Sequence, residues 1–284
     1  MISQIIPNAD DFGLSSGITE GIVSAFRETI LTSTSLFPNG EAFEAAVAQA
    51  KAHPGLSIGV HLTLVEGNPL SRPNDIPSLV TAQGAFVGRF GQLLTRWFSG
   101  RLRLREVERE WCRQVERVLE AGLTVDKLDS HMNVHLLPGL FPVSVRVAQR
   151  YGIRGVRMPR GEVSGPPATL PQQLCLGALA RLRMGRLRRA GLYTPDHFRG
   201  LASSGKLTEE RLIQILQRLR PGVTEIVVHP GAAGPISDRW PSSRRYHREG
   251  ELAALLSPKL KGFLKTSGIQ LTTYREASSQ GSPK

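Results

Sequence analysis

With 284 residues, 40% of them hydrophobic and only two cysteines, the chain is long enough to bury a core without disulfides or a structural metal. No uninterrupted apolar run reaches the roughly 20 residues of a membrane-spanning helix, and the first seven residues run straight into two aspartates, leaving no room for a cleavable signal peptide. A cytoplasmic protein is expected, and a formal charge of +12 suits nucleic acid, an anionic membrane face or an acidic substrate as partner, or simply a solvated arginine-rich face.

Ser3 to Ala9 reads as a buried strand ending in Asn8-Ala9-Asp10-Asp11-Phe12-Gly13. Ser15/Ser16 then cap a helix whose Ile18, Ile22 and Phe26 recur every four positions. Leu31 to Phe37 is a second strand, closed by the Pro38-Asn39-Gly40 turn, and Phe43, Val47 and Ala50 mark a second helix. Ser57 to Leu64 is a third strand with His61 near its end, followed by a Pro- and Gly-punctuated loop from Glu66 to Gly91 of the length expected of a lid or binding loop. A helix from about Leu104 to Ala121 leads to a fourth strand, Leu123 to Leu128, which delivers Asp129-Ser130-His131-Met132-Asn133-Val134-His135. Leu140 to Tyr151 is helical and Val156 to Met158 a short fifth strand.

From Arg160 to Pro195 the pattern lapses into Pro-rich coil (Gly165-Pro166-Pro167) and an arginine-studded segment, Leu174 to Leu192, with the look of a basic helical insertion. Asp196 to Gly200 is a sixth strand, Glu209 to Leu219 a helix, and Thr224 to Val228 a seventh strand ending in His229-Pro230-Gly231. One or two helices over Gly250 to Leu264, a last strand over Ile269 to Tyr274 and a disordered tail over residues 278–284 complete the chain. Roughly eight strands, most followed by a helix, predict an α/β fold of mainly parallel strands in a single domain over residues 1–277. The polar residues Asp10/Asp11, His61, Asp129/His131/His135 and His229 each fall at the end of a different strand, which favours a distorted (β/α) barrel.

Two histidines and an aspartate suit zinc, magnesium or another divalent ion, so Asp11, His61 and His131 are the expected ligands. Asp10 is then a free carboxylate base, and His229 an acid for the leaving group. His135 is open between ligand, partner to a ligand and substrate contact. Asp129 is open between orienting His131, binding sugar hydroxyls and capping a turn. A glycoside hydrolase with Asp10 and Asp129 as its carboxylate pair is the alternative enzyme. A basic membrane- or nucleic-acid-binding protein rests on charge alone, and without aromatic interleaving or a known motif, nucleic acid is not expected as a partner.

In order and spacing, the stretches Asn8 to Ser15, Gly59-Val60-His61-Leu62, Asp129-Ser130-His131 through His135, and Val228-His229-Pro230-Gly231 resemble the YdjC-like carbohydrate deacetylases, from Ile5 to about Leu264. The resemblance implies a distorted barrel, a divalent metal on Asp11, His61 and His131, Asp10 as base, and release of acetate from an N-acetylated amino sugar. Asp129, Asn133 and His135 are then expected at the sugar. The run Ile30 to Ser35, Ala52-His53-Pro54 and the basic insertion are most like the branch associated with hopanoid biosynthesis, which implies an N-acetylglucosaminyl hopanoid as substrate. On a lipid-linked sugar, Leu174, Leu176, Leu179, Leu182 and Leu187 among their arginines would lie on the inner membrane face, or the segment would form a lid or homodimer contact. Many relatives carry His or Gln where this chain has Met132 and Asn133, a departure that bears on the lining of the sugar pocket.

Overall fold

The computed structural model describes residues 3–160 and 167–280. Strand β1 (Ser3–Phe12) is central and buried along almost all its length, with Ile5, Ile6, Ala9 and Phe12 in the core and Asn8, Asp10 and Asp11 buried among them. It is followed by α1 (Ser16–Glu28), β2 (Ser33–Leu36), α2 (Phe43–Ala52) and β3 (Ser57–Leu62). After a long loop come α3 (Phe90–Phe98), α4 (Leu104–Glu120), β4 (Lys127–Ser130), α5 (Leu140–Arg150) and β5 (Gly155–Val156). The second half holds α6 (Leu170–Arg189), β6 (His197–Arg199), α7 (Glu209–Gln217), β7 (Gly222–Val228), α8 (Arg248–Leu256), α9 (Pro258–Ser267), β8 (Gln270–Leu271) and α10 (Tyr274–Gln280).

The strands lie in the order β5-β4-β3-β2-β1-β7-β6, and each ladder between them is parallel. β7 takes one edge of β1 from Ser3 to Ala9, while β8 and β2 share the other, at Gln4–Ile5 and from Asn8 onward. Tyr193, just ahead of β6, exchanges backbone hydrogen bonds with Arg154 and Val156 and draws the two ends of the sheet together. The sheet is therefore curled, with helices around it, and forms a distorted (β/α) barrel. Parallel order puts the carboxyl ends of β1, β3, β4 and β7 on one rim.

Several segments differ from the expected pattern. The fourth strand is Lys127–Ser130 rather than Leu123 to Leu128, so Asp129 lies inside it, and the last strand is Gln270–Leu271 alone, with Tyr274 opening a helix. The stretch after Glu66 contains a 3-10 turn at Pro73–Asp75 and then the unpredicted α3. The basic segment is a single 20-residue helix, α6, in the connection from β5 to β6, and it buries Ala180 and Leu187 while exposing Leu174 and Leu182. Ser278 to Gln280 close α10 instead of opening a disordered tail, because Tyr274 and Ala277 anchor that helix against Ile6. Residues 281–284, and Gly165 and Pro166 of the expected coil, lie outside the described residues.

Candidate active site

The rim is shaped by backbone that leaves regular geometry where side chains must converge. Between Ala9 and Phe12 the register of β1 against β2 slips, and Asp11 takes φ 72°. After β4 a 3-10 turn (His131–Leu136) carries Met132 and Asn133, each at φ 54°, and Glu66, at φ 66°, opens the loop beyond β3. Among the described residues these are the four non-glycine residues with positive φ, a costly conformation for side chains with a Cβ; Asp11, Met132 and Asn133 line one cleft, and Glu66 stands against its His131.

Asp11, His61 and His131 bring one donor atom each within 4.8 Å of one another. His61 is held from behind: its Nδ1 lies 2.7 Å from Asp129 Oδ1, and its Nε2 faces Asp11 Oδ1 across 3.7 Å. A carboxylate only accepts, so Nδ1 carries the proton and Nε2 presents a lone pair to a second carboxylate. Such an arrangement calls for positive charge between Nε2 and Oδ1. The upward shift of the His61 pKa expresses the same demand: burial alone lowers it, but the charges of Asp129, Asp10 and Asp11 outweigh burial. A divalent ion meets that demand, and an N,N,O donor set suits one. The other oxygen of Asp11 accepts from Arg248, and burial, which raises its pKa, is outweighed by Arg248 and the three histidines, so the group is held well below the ordinary carboxylate value.

Asp10 lies beside this cluster. Arg157 grips both its oxygens at 2.7 Å, and Asn8 donates to Oδ1 at 2.8 Å. Burial raises its pKa, yet Arg157 and His61 prevail and the net shift is downward. Across the cleft His229 Nε2 stands 3.9 Å from Asp10 Oδ2, and burial drives its pKa down to about 4. Asp10, Asp11, His61, His131, Asn133 and His229 all line a single cleft of about 390 Å³.

Two expected sugar contacts are instead structural. Asp129 is fully buried behind His61, hydrogen-bonded to Ser35 at 2.6 Å and ion-paired with Lys127 and Arg157. It orients His61 rather than His131, and being closed off from the cleft it cannot serve as the second carboxylate of a glycosidase. His135 is likewise buried, with Nδ1 on Ser130 Oγ at 2.6 Å and Nε2 on the Arg157 carbonyl at 2.9 Å, and burial lowers its pKa to about 4. Asn133 does reach the cleft, and its buried Oδ1 has no hydrogen-bond partner among the described residues.

Several residues that shape the site were not anticipated. Arg157 and Lys127 are charges inside apolar strand sequences, a readable signal of a buried partner. Arg248, Ser242 and Glu66 left no such mark. Ser242 Oγ donates to Glu66 Oε2 at 2.8 Å and sits 3.1 Å from His131 Nε2, so this pair holds His131 as Asp129 holds His61.

Residues 4–266 match the family described as YdjC-like protein. The chain is 36% identical over 273 residues to a carbohydrate deacetylase of Geobacillus stearothermophilus, covering 95% of this chain and 96% of that protein. It is 34% identical over 274 residues to a carbohydrate deacetylase of Brevibacillus brevis, covering 96% and 99%. A crystal structure from Enterococcus faecalis V583, described as a candidate cellobiose-phosphate cleavage protein, superposes with a TM-score of 0.75 at 28% identity over 97% of this chain and 99% of that one.

Proposed function

The chain belongs to the YdjC-like protein family, and on that premise we propose that it is a metal-dependent carbohydrate deacetylase that releases acetate from an N-acetylated amino sugar. The observation that carries the metal assignment is His61, pinned by Asp129 so that its free nitrogen faces Asp11 and joins His131 at one point. Asp11, His61 and His131 would hold one divalent ion, zinc or magnesium. When bound there, such an ion polarises the amide carbonyl and acidifies water.

The remaining steps fall to the chain's own residues. Arg157 keeps Asp10 ionised, so the base form is always present, but a carboxylate of lowered pKa is a weak base towards ordinary water. Asp10 therefore works only on a nucleophile that has already been acidified, and this is why the assignment needs an ion beside it. His229 is neutral near pH 7 and cannot begin as an acid. Its place next to Asp10 lets it take up the proton that Asp10 removes and hand it to the departing amine nitrogen. We assign Asn133 to a sugar hydroxyl; its cleft position and an Oδ1 without a partner among the described residues support that role.

The finer reading is a sugar linked to a hopanoid lipid, supported by the motifs Ile30 to Ser35 and Ala52-His53-Pro54 and by the basic helix α6. The test is to incubate the metal-loaded protein with soluble and lipid-linked N-acetylglucosamine conjugates and follow loss of one acetyl group by mass spectrometry. Loss from the lipid-linked conjugate alone supports the finer reading; loss from none overturns the deacetylase assignment.

A further inference from the structure

We propose that α3 and the turn that follows it form a docking surface for an anionic membrane leaflet. Residues 76–105 contain five arginines and no acidic residue. Of these, Arg89, Arg101, Arg103 and Arg105 are exposed, with Arg103 paired to Glu106 just beyond the segment, and the apolar side chains that stand out among them are Phe98, 75% exposed, and Leu104, 40% exposed. Trp97 lies edge-on to Phe98 with ring centroids 4.4 Å apart, and only Leu93 of α3 is fully buried. An aromatic and aliphatic tip ringed by cations matches a leaflet with anionic headgroups: the tip enters the acyl boundary while the arginines stay at the headgroups. Single-stranded nucleic acid is a poorer match, because Phe98 is set against Trp97 at 63° and offers no stacked platform, and Leu104 has no ring to stack.

The surface belongs to the rim that carries the cleft. The loop ahead of α3 begins at Glu66, which holds Ser242 beside His131. Trp97 Nε1 donates to the Pro138 carbonyl at 2.9 Å, just beyond the turn bearing His131 and Asn133. Docking through α3 would turn the cleft towards substrates carried in the membrane. This purpose rests on the lipid-linked form of the proposed substrate, but the docking itself is measured without substrate, so its failure leaves the deacetylase assignment standing.

The experiment is co-sedimentation of the full chain with vesicles of phosphatidylcholine, with and without phosphatidylglycerol, alongside the Phe98→Ser and Arg101→Glu variants. The expected result is sedimentation with the anionic vesicles only, release by salt, a blue shift of tryptophan emission, and a bound fraction at least about fivefold lower in either variant. The circular dichroism spectrum and melting temperature of Phe98→Ser should be unchanged, which shows that the variant folds. Absence of binding to phosphatidylglycerol vesicles, binding that survives both substitutions, or Phe98-dependent self-association without vesicle binding would each overturn the proposal.

Discussion

Asp10 and Asp11 are adjacent in the chain and have opposite surroundings. Arg157 engages both oxygens of Asp10, whereas Arg248 takes one oxygen of Asp11 and leaves the other facing His61. Asp10→Asn is therefore expected to retain metal while acetate release falls by about two to four orders of magnitude, measured by elemental analysis and product assay on the same preparation. Glu66→Ala removes the acceptor that fixes Ser242 beside His131, and zinc affinity should drop by about 10- to 100-fold in calorimetry with little change in melting temperature. His61 sets the pH dependence of the metal site. Its pKa is raised in the folded protein, and a proton on Nε2 competes with the ion, so affinity is weakest below that pKa and strengthens as pH rises through it, by up to about tenfold per unit. A titration of zinc affinity that is flat between pH 5 and about 8 would contradict His61 as a ligand.

At the scale of elements, the site depends on how closely α1 packs against the loop after β7. A Cβ on Gly21 would lie 2.5 Å from Gly231 Cα and the Ala232 nitrogen, atoms of the segment that follows His229. Gly21→Ala should therefore push that segment away and lower both the melting temperature and turnover, the former by several degrees in a thermal scan, where an ordinary helix glycine would gain stability. Strands β1, β3 and β7 were legible from short apolar stretches such as Ile5-Ile6 and Ile226 to Val228, with Asp and His residues standing out at their ends, whereas β4, Lys-Leu-Asp-Ser, has one apolar residue and lies several residues beyond its expected start. Ser15 was legible as a cap, and its side chain does accept from the Ile18 nitrogen. Helix α3 was not, since Gly84 and Gly88 ahead of it and Gly91 in its first turn read as loop, and its docking is mostly one-sided. Arg248 and Ser242 were not legible either: their role comes from a contact with residues more than 150 positions away, and nothing local marks it.

In the whole molecule, acids gather at the rim while the surface is basic. Asp10, Asp11, Asp129 and Glu225 are buried around Arg157, Lys127 and Arg248, an interior that an added divalent charge should stabilise. Zinc at about 100 times its dissociation constant would contribute about 2.7 kcal/mol, which at about 2 °C per kcal/mol for a chain of this size raises the melting temperature by about 5 °C. No helix among the described residues is long and apolar enough to cross a membrane. Net charge raised the expectation of an anionic partner and could name no surface for it, because charge is legible in sequence but the surface that gathers it is set by tertiary packing. The convergence of Asp11, His61 and His131 on one ion is tested most directly by metal stoichiometry after zinc loading and desalting, in the natural chain and in Asp11→Asn, His61→Ala and His131→Ala. One equivalent in the natural chain and its loss in each variant is the predicted result; a full equivalent retained in any of the three would contradict it.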